Sequence, residues 1–304
     1  MDGGQRALFQ LGRELARLGY RFTTPTPETH RRVVSRKSGA ARDLRDVFGW
    51  SLPFEEALLP ARVLSLLAES GALLRDRDDA RLRSGVRYSS LGGGLFVHSA
   101  YPTRESDAVF FGPDTYRYCA LLESRVEGAR RCVDVGAGCG AGGIVLAPRC
   151  ESVILCDVNP RALRLAEVNA ALAGVGSKIS IVRSDLLAGV EDGFDLVIAN
   201  PPYLADEMHR AYRDGGGALG ADLSIRIARE ALERLPRGGG LVLYTATAIV
   251  DGEDLLLRAL LPHLRGARFD YRELDPDVFG EELDRAEYRN VERIAVVALD
   301  AIKE

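Results

Sequence analysis

The stretch DLVIANPPYLADE, Asp195 to Glu207, sets an apolar run from Leu196 to Ala199 against an asparagine, two prolines and a tyrosine. The run is short, with β-branched residues at its middle, and reads as a strand buried on both faces, as in a parallel sheet. Pro201 and Pro202 must end it, because neither can donate to a ladder. They also stiffen the backbone where open parallel sheets bind ligands, just beyond the carboxyl ends of their strands. A rigid turn that carries one amide side chain and one aromatic ring is suited to holding something.

Outward from this turn, the chain alternates strand and helix from about Arg130 onward. CVDVG, SVILCD, KISIVRS and GGLVLYTA read as strands, NPRALRLAEVNAALAG, ADLSIRIAREALERL and DLLLRALLPHL as helices, ARFDYREL as extended and VERIAVVALDA as a last strand. Such alternation predicts right-handed crossovers and an open, mostly parallel, doubly wound α/β sheet. The front has a different grammar. From Gln5 to Leu74 apolar residues recur at helical spacing, with one helix expected through LLPARVLSLLAESGALL. GVRYSS and LFVHSAY around Gly92 to Gly94 then read as a hairpin. A helix, a charged turn and a hairpin in that order also resemble a winged helix, a fold used for DNA binding and for dimerisation alike. The expected division is a helical recognition domain with its hairpin over residues 1–108 and a ligand-binding α/β domain over 109–304.

Composition bounds the rest. With 304 residues, 46% apolar and 28% charged, the chain is that of a soluble globular protein with ample core. No apolar run approaches the ~20 residues of a membrane span, and Met1 to Arg17 lacks a signal-peptide core, so a cytoplasmic protein with no membrane partner is expected. Five cysteines without paired C-x-x-C spacing predict buried reduced thiols, and the four histidines form no metal pattern, so no metal is expected. The net charge of −4 hides an asymmetry, since residues 1–90 hold 16 Lys/Arg against 11 Asp/Glu. The basic cluster Arg31 to Arg42 reads as a solvated face or loop rather than a polyanion patch.

The glycine-rich DVGAGCGAGG, Asp134 to Gly143, follows a strand and opens a helix. From Gly138 it matches G-x-G-x-x-G, with Asp157 at the end of the next strand, a dinucleotide fingerprint by pattern. The first strand ends at Val135, however, which sets the turn glycines at Gly136, Gly138 and Gly140. Asp134 at the base of that turn would repel a pyrophosphate yet suit a cation. S-adenosylmethionine is such a ligand, with a sulfonium and an ammonium but no phosphate. Asp157 would then bind the ribose hydroxyls with Val158 beside it, and Asp185 would accept from the adenine amino group while Leu186 packs on the ring. Three acids at the ends of three successive strands, beside the glycine turn, mark a cofactor site.

With a cofactor over the first three strands, the end of the fourth lies beside a reactive methyl group. An amide or aromatic amine is a poor nucleophile because its lone pair is delocalised. The Asn200 oxygen and the Pro201 carbonyl can accept both N–H bonds of one NH₂, Pro202 can hold that carbonyl in place, and the Tyr203 ring can stack on a planar acceptor. His98 in the hairpin and His209 after Tyr203 are candidates to reach the acceptor, although solvated or structural roles are the plainer expectation.

These residues resemble the class I S-adenosylmethionine-dependent methyltransferases with an N-P-P-Y motif, and within them the HemK-type glutamine methyltransferases. The likeness covers roughly Val109 to Leu264. VFFGPDTYRYCALLES resembles that family's lead-in, with Pro113 and Thr115 at matching places, and RDGGGALGADL resembles its glycine-rich segment after N-P-P-Y. It implies a Rossmann-like sheet with an antiparallel last strand and contacts to cofactor or acceptor from Thr115, Asp134, Gly136, Gly138, Asp157, Asp185 and Asn200. It further implies a methyl acceptor that is a protein glutamine or a small amide-like metabolite. Three features depart from the family pattern. Gly112 to Tyr116 stands where the family has R-P-E-T-E, VHSAYPTRESD extends the hairpin, and LDPDVFGEELDRAEYRN is an extra segment before the last strand. A nucleic-acid base amine as acceptor has only the basic front in its favour. A natural-product methyltransferase with a dimerising winged helix, or a non-catalytic cofactor-binding regulator, are further readings. The front segment is expected to cover the acceptor site and set specificity.

Overall fold

The computed structural model describes the chain except for residues 38, 76–80, 104, 206–211 and 218. Its first helix begins where Asp2 and Gln5 cap one another, each side chain accepting the other's backbone N–H at 2.9 and 2.8 Å. Helix α1 then runs Gly3–Arg17. Thr26 caps α2, Pro27–Val34, which converts the first part of the expected basic loop into a helix. Arg31 and Arg32 are ion-paired to Glu28, and Lys37 to Asp46, so much of the basic cluster is spent on local pairs. Helices α3, Leu44–Phe48, and α4, Ala61–Glu69, follow. The helix expected through Leu74 stops at Glu69 because Gly71 turns the chain at φ +74°. Leu73–Arg75 is instead strand β1, paired antiparallel with β2, Leu82–Ser84. The expected hairpin is β3, Val86–Leu91, with β4, Gly94–Ser99. Most of the charged turn after Leu74 lies outside the described residues.

The second part alternates as the sequence suggests. It comprises α5 (Pro113–Arg125), β5 (Ala129–Val135), α6 (Ala141–Leu146), β6 (Cys150–Asp157), α7 (Pro160–Leu172), β7 (Ile179–Arg183) and β8 (Leu196–Ala199). It continues through α8 (Asp222–Arg234), β9 (Gly240–Val250), the two-residue β10 (Glu253–Asp254), α9 (Leu255–Leu260), β11 (Ala267–Asp275) and β12 (Arg293–Lys303). Among the described residues these strands form one sheet in the order β11-β12-β9-β8-β5-β6-β7, with β10 paired to β9. β5 to β9 are mutually parallel, and β12 runs antiparallel between β9 and β11. Strand order reverses beside β5, since β6 and β7 extend to one side and β8 and β9 to the other.

Both faces of the sheet are covered. In β8, Leu196 and Ile198 join one apolar cluster while Val197 and Ala199 join the other, which is why the run carries no polar residue. Helices α8 and α9 cover the second face, and α5 to α7 the first. The front segment packs on this first face and its apolar residues belong to the same cluster as those of α5 to α7. Contact between α1 and α7 is close enough that a Cβ on Gly12 would lie 2.9 Å from Leu172 and 3.0 Å from Tyr88. All five cysteines are buried and free. No helix among the described residues is long and apolar enough to cross a membrane.

Asn169 on α7 joins three parts of the molecule. Its side chain is fully buried, accepts from Val97 N at 2.7 Å, and donates to Val97 O at 3.0 Å and to Cys139 O at 2.9 Å. Hairpin, helix and glycine turn are thus tied by one amide. Asn169→Ala would strip partners from one donor and two acceptors, at about 1–3 kcal/mol for each buried group left unpaired. Against a typical total of about 5–15 kcal/mol that is a large loss. Chemical denaturation should register a drop of several kcal/mol, and a midpoint within error of wild type would mean that water replaces the amide.

Candidate functional site

At the carboxyl end of β5 the backbone turns through Gly136 and Gly138, both at positive φ (+67° and +55°), and a Cβ on either would meet nothing within 4 Å. Both glycines line an open cleft over the strand ends. Gly140 does not. At φ +82° its missing Cβ points toward Leu155, Ile144 and Ala166, so the turn and the core account for glycine at this position.

Asp134, just before the turn, is 2% exposed. Its Oδ2 accepts from Gly143 N at 2.8 Å and its Oδ1 from the Tyr118 hydroxyl at 3.4 Å. Burial pushes its carboxyl up to about 7, and the neighbouring Asp157 adds to this, although the two hydrogen bonds pull the other way. Asp157 ends β6. Its two oxygens accept from Gly138 N at 2.9 Å and Asn159 N at 2.8 Å, which locks the acid against the glycine turn. Burial also raises its carboxyl above the ordinary range. Val158 follows, half exposed at the cleft wall.

Asp185 lies beyond the end of β7, exposed, in a loose 3.4 Å pair with Arg226. Leu186 beside it is buried, at φ +48°. Thr115 in the first turn of α5 accepts from Gly112 N at 3.2 Å. All of these line the same cleft, of about 250 Å³.

Asn200, Pro201, Pro202 and Tyr203 line it too. The Asn200 side chain makes no hydrogen bond with any described residue, so its amide stays available. Tyr203 is buried, and burial followed by the charge of Asp114 drives its phenol far above its ordinary range. Asp114 is a lining residue that sequence reasoning passed over. Its Oδ1 accepts from the Tyr244 hydroxyl at 2.8 Å and from Arg117 at 3.3 Å. The signal was an acid directly after Pro113, which the sequence comparison treated only as a departure. The glycine-rich segment folds back over the turn: a Cβ on Gly215 would lie 2.7 Å from Pro202 O.

Aromatic residues enclose this end. Phe110 and Tyr212 stack with centroids 6.2 Å apart at 5°, and Phe279 lies 6.0 Å from Tyr203; all line the cleft. No periodicity announces them, because each sits in a loop and is placed by long-range contacts. His98 does not reach the cleft, for it is fully buried against Ser89 (2.7 Å) and stacked on Phe111. His209 lies outside the described residues. Among the described residues, the charged ones lining the cleft are Asp114, Asp134, Asp157, Asp185 and Arg213. Four acids to one base suit a cationic ligand without phosphate and disfavour a pyrophosphate.

A family model described as methyltransferase small domain matches residues 118–261. The release factor glutamine methyltransferase of Deinococcus radiodurans is 35% identical over 192 residues, covering 59% of this chain and 66% of the relative. A Methanocaldococcus jannaschii protein provisionally named a protein N5-glutamine methyltransferase is 32% identical, over 47% of this chain and 74% of its own. The chain spans 55 to 66% of the length of the first three release factor methyltransferases it matches. Among solved structures, Trm5b from Pyrococcus abyssi has the same fold, with a TM-score of 0.52 at 17% identity over 76% of this chain and 62% of that one. Sheet order and sequence likeness agree, and the chain belongs to the class I S-adenosylmethionine-dependent methyltransferases of the HemK type.

Proposed function

We propose that the chain methylates the side-chain amide nitrogen of a glutamine in a protein, with S-adenosylmethionine as donor and a release factor as the acceptor protein. The observation that carries this reading is the unengaged Asn200 amide, held by two prolines in a cleft whose other end is lined by Asp134, Asp157 and Asp185. S-adenosylmethionine, when bound, supplies an electrophilic methyl group. The chain has to orient an amide nitrogen toward it and localise a delocalised lone pair. Asn200 Oδ1 and the Pro201 carbonyl accept the two N–H bonds of the acceptor, which favours a pyramidal nitrogen. Tyr203 acts as a wall rather than a base, because a phenol raised so far stays protonated at neutral pH. The rate gain then comes from orientation and preorganised polar groups.

The acceptor class draws support from the names of the relatives, and the acidic lining of the cleft argues against a nucleic acid there. We read residues 1–108 as the acceptor-recognition domain and 109–304 as the cofactor-binding domain. In favour of this, Thr103 exchanges hydrogen bonds with Tyr212 at the rim of the cleft. Because the front shares its core with α5 to α7, removal of residues 1–90 would uncover the face of α7 on which the front rests, and destabilisation is the expected result.

Labelled methyl donor incubated with purified release factor, and with the RNA and small-molecule fractions of a cell extract, tests the acceptor. Label is expected on a glutamine of the release factor alone. Asn200→Ala should lower single-turnover methylation by about 10²–10³, as loss of other preorganised polar contacts does, while affinity for S-adenosylhomocysteine barely moves. Normal turnover by this variant would refute the role of the amide.

A pH dependence follows from Asp134. Its free carboxyl titrates at about 7, and a cationic donor binds best to the ionised form. Below that pH a proton must leave on binding, so donor affinity should fall by up to about tenfold per pH unit. Calorimetry in buffers of different ionisation enthalpy should detect proton release between pH 5 and 7 in wild type and not in Asp134→Asn. Equal proton release by both proteins would assign it elsewhere.

A further inference from the structure

We infer that Phe279 is a specificity-determining residue of the acceptor site, carried there by the segment between β11 and β12, and that with Phe110 and Tyr212 it makes an aromatic slot for a flat, uncharged group on an aliphatic stem. The inference deepens the reading of Asn200 as the group that binds an acceptor amide, and it rests on that reading.

Phe279 lines the cleft and its ring lies against Tyr203 of the N-P-P-Y turn. Its backbone is left-handed, at φ 55° and ψ 38°, where a bulky side chain is an outlier and glycine would be relaxed. Something must hold it, and the following residues do. Buried Glu282 accepts from Arg213, which adjoins Tyr212, and from Arg285 at 2.9 Å. Arg285 also donates to Ala205 O at 2.7 Å, and the Tyr288 hydroxyl accepts from Ala205 N at 2.8 Å. Both backbone groups of Ala205, two residues past Tyr203, are therefore gripped by this segment. A loop that merely joined two antiparallel strands would need none of these contacts.

The chemistry selected follows from the walls. Phe110, Tyr203, Leu204, Tyr212, Leu223 and Phe279 line the same cleft as Asn200 with rings and aliphatic carbon. The charges at this end, Asp114 and Arg213, are already engaged, with Arg117 and Tyr244 and with Glu282, whereas methylenes ending in a neutral planar amide bury carbon against the rings and satisfy their N–H groups on Asn200.

Steady-state kinetics with purified release factor as acceptor, together with S-adenosylhomocysteine calorimetry, tests the assignment. Phe279→Ala should raise the acceptor KM about tenfold or more, with kcat within about threefold and cofactor-product affinity within about twofold, as for loss of uniform binding. Phe279→Leu should recover part of the loss. Arg285→Ala acts through Phe279, so it should raise KM less, and the double variant should be no worse than Phe279→Ala alone. An unchanged KM in Phe279→Ala, or a rise matched by loss of S-adenosylhomocysteine affinity, would overturn the assignment. So would additive effects of the two substitutions. The series is run in parallel on the RNA and small-molecule fractions of a cell extract. If wild type labels only one of those, the glutamine reading fails, and the KM of Phe279→Ala on that fraction decides the assignment of Phe279 separately. If wild type binds S-adenosylhomocysteine but labels nothing, both fall.

Discussion

Everything functional in this molecule depends on the reversal of strand order beside β5. Because β6 and β7 build outward on one side and β8 and β9 on the other, the loops leaving β5 and β8 part company and leave a crevice that no crossover can fill. The register is tight there, with Val135 opposite Cys156 on one side and Ala199 on the other. Strand ends aligned in this way bring Asp134, Asp157 and Asn200 to one level from three separate places in the chain. No local interaction could do that.

The crevice is electrostatically costly as well as open. Asp134 sits in a fully buried position with two hydrogen bonds and, among the described residues, no basic partner, and Asp157 stands next to it. Burial raises the affinity of both acids for protons, and the charge of Asp157 raises that of Asp134 further. A protein selected for stability alone would place an apolar residue at 134. Its retention makes sense if a cation relieves the cost, which is a physical reason to favour a sulfonium and ammonium ligand over a phosphate-bearing one. The same glycines that open the turn let such a ligand approach the backbone, since Gly136 and Gly138 have empty space where a Cβ would stand.

How much of this could be read from the residues depended on whether the signal was local. The apolar run Leu196 to Ala199, the glycines after Val135 and the acids ending successive strands are each determined by their neighbours in sequence, and the strands fell where those patterns placed them. Two local readings failed for local reasons. Gly71 ends α4 although helical spacing runs on to Leu74, and Thr26-Pro27 starts a helix where the charge pattern suggests a loop. Gly140 was grouped with the cleft glycines by spacing, although its missing side chain points into the core. Asp114, Tyr212, Phe279 and Glu282 were illegible for a different cause. Their roles arise only when residues far apart in sequence meet, as Arg213 meets Glu282 and Tyr244 meets Asp114.

This division between local and non-local signals coincides with a division of labour. Chemistry is assigned to the strand ends, where backbone geometry is fixed by a sheet buried on both faces and small displacements are resisted. The acceptor end is enclosed by additions, namely the loop of residues 100–110 through Thr103 and Tyr212, and the segment 276–292 through Phe279 and Arg285. Such loops can change in length and composition without disturbing strand register, because their ends are already fixed by neighbouring strands and helices. Both additions are anchored by polar contacts to the stretch following Tyr203, and the first is tied as well to the turn after β6, where Asn159 and Arg161 donate to Asp107, so a change in either alters the shape of the rim. A shared sheet with divergent rims would let relatives keep one methyl-transfer apparatus while differing in what they present to it.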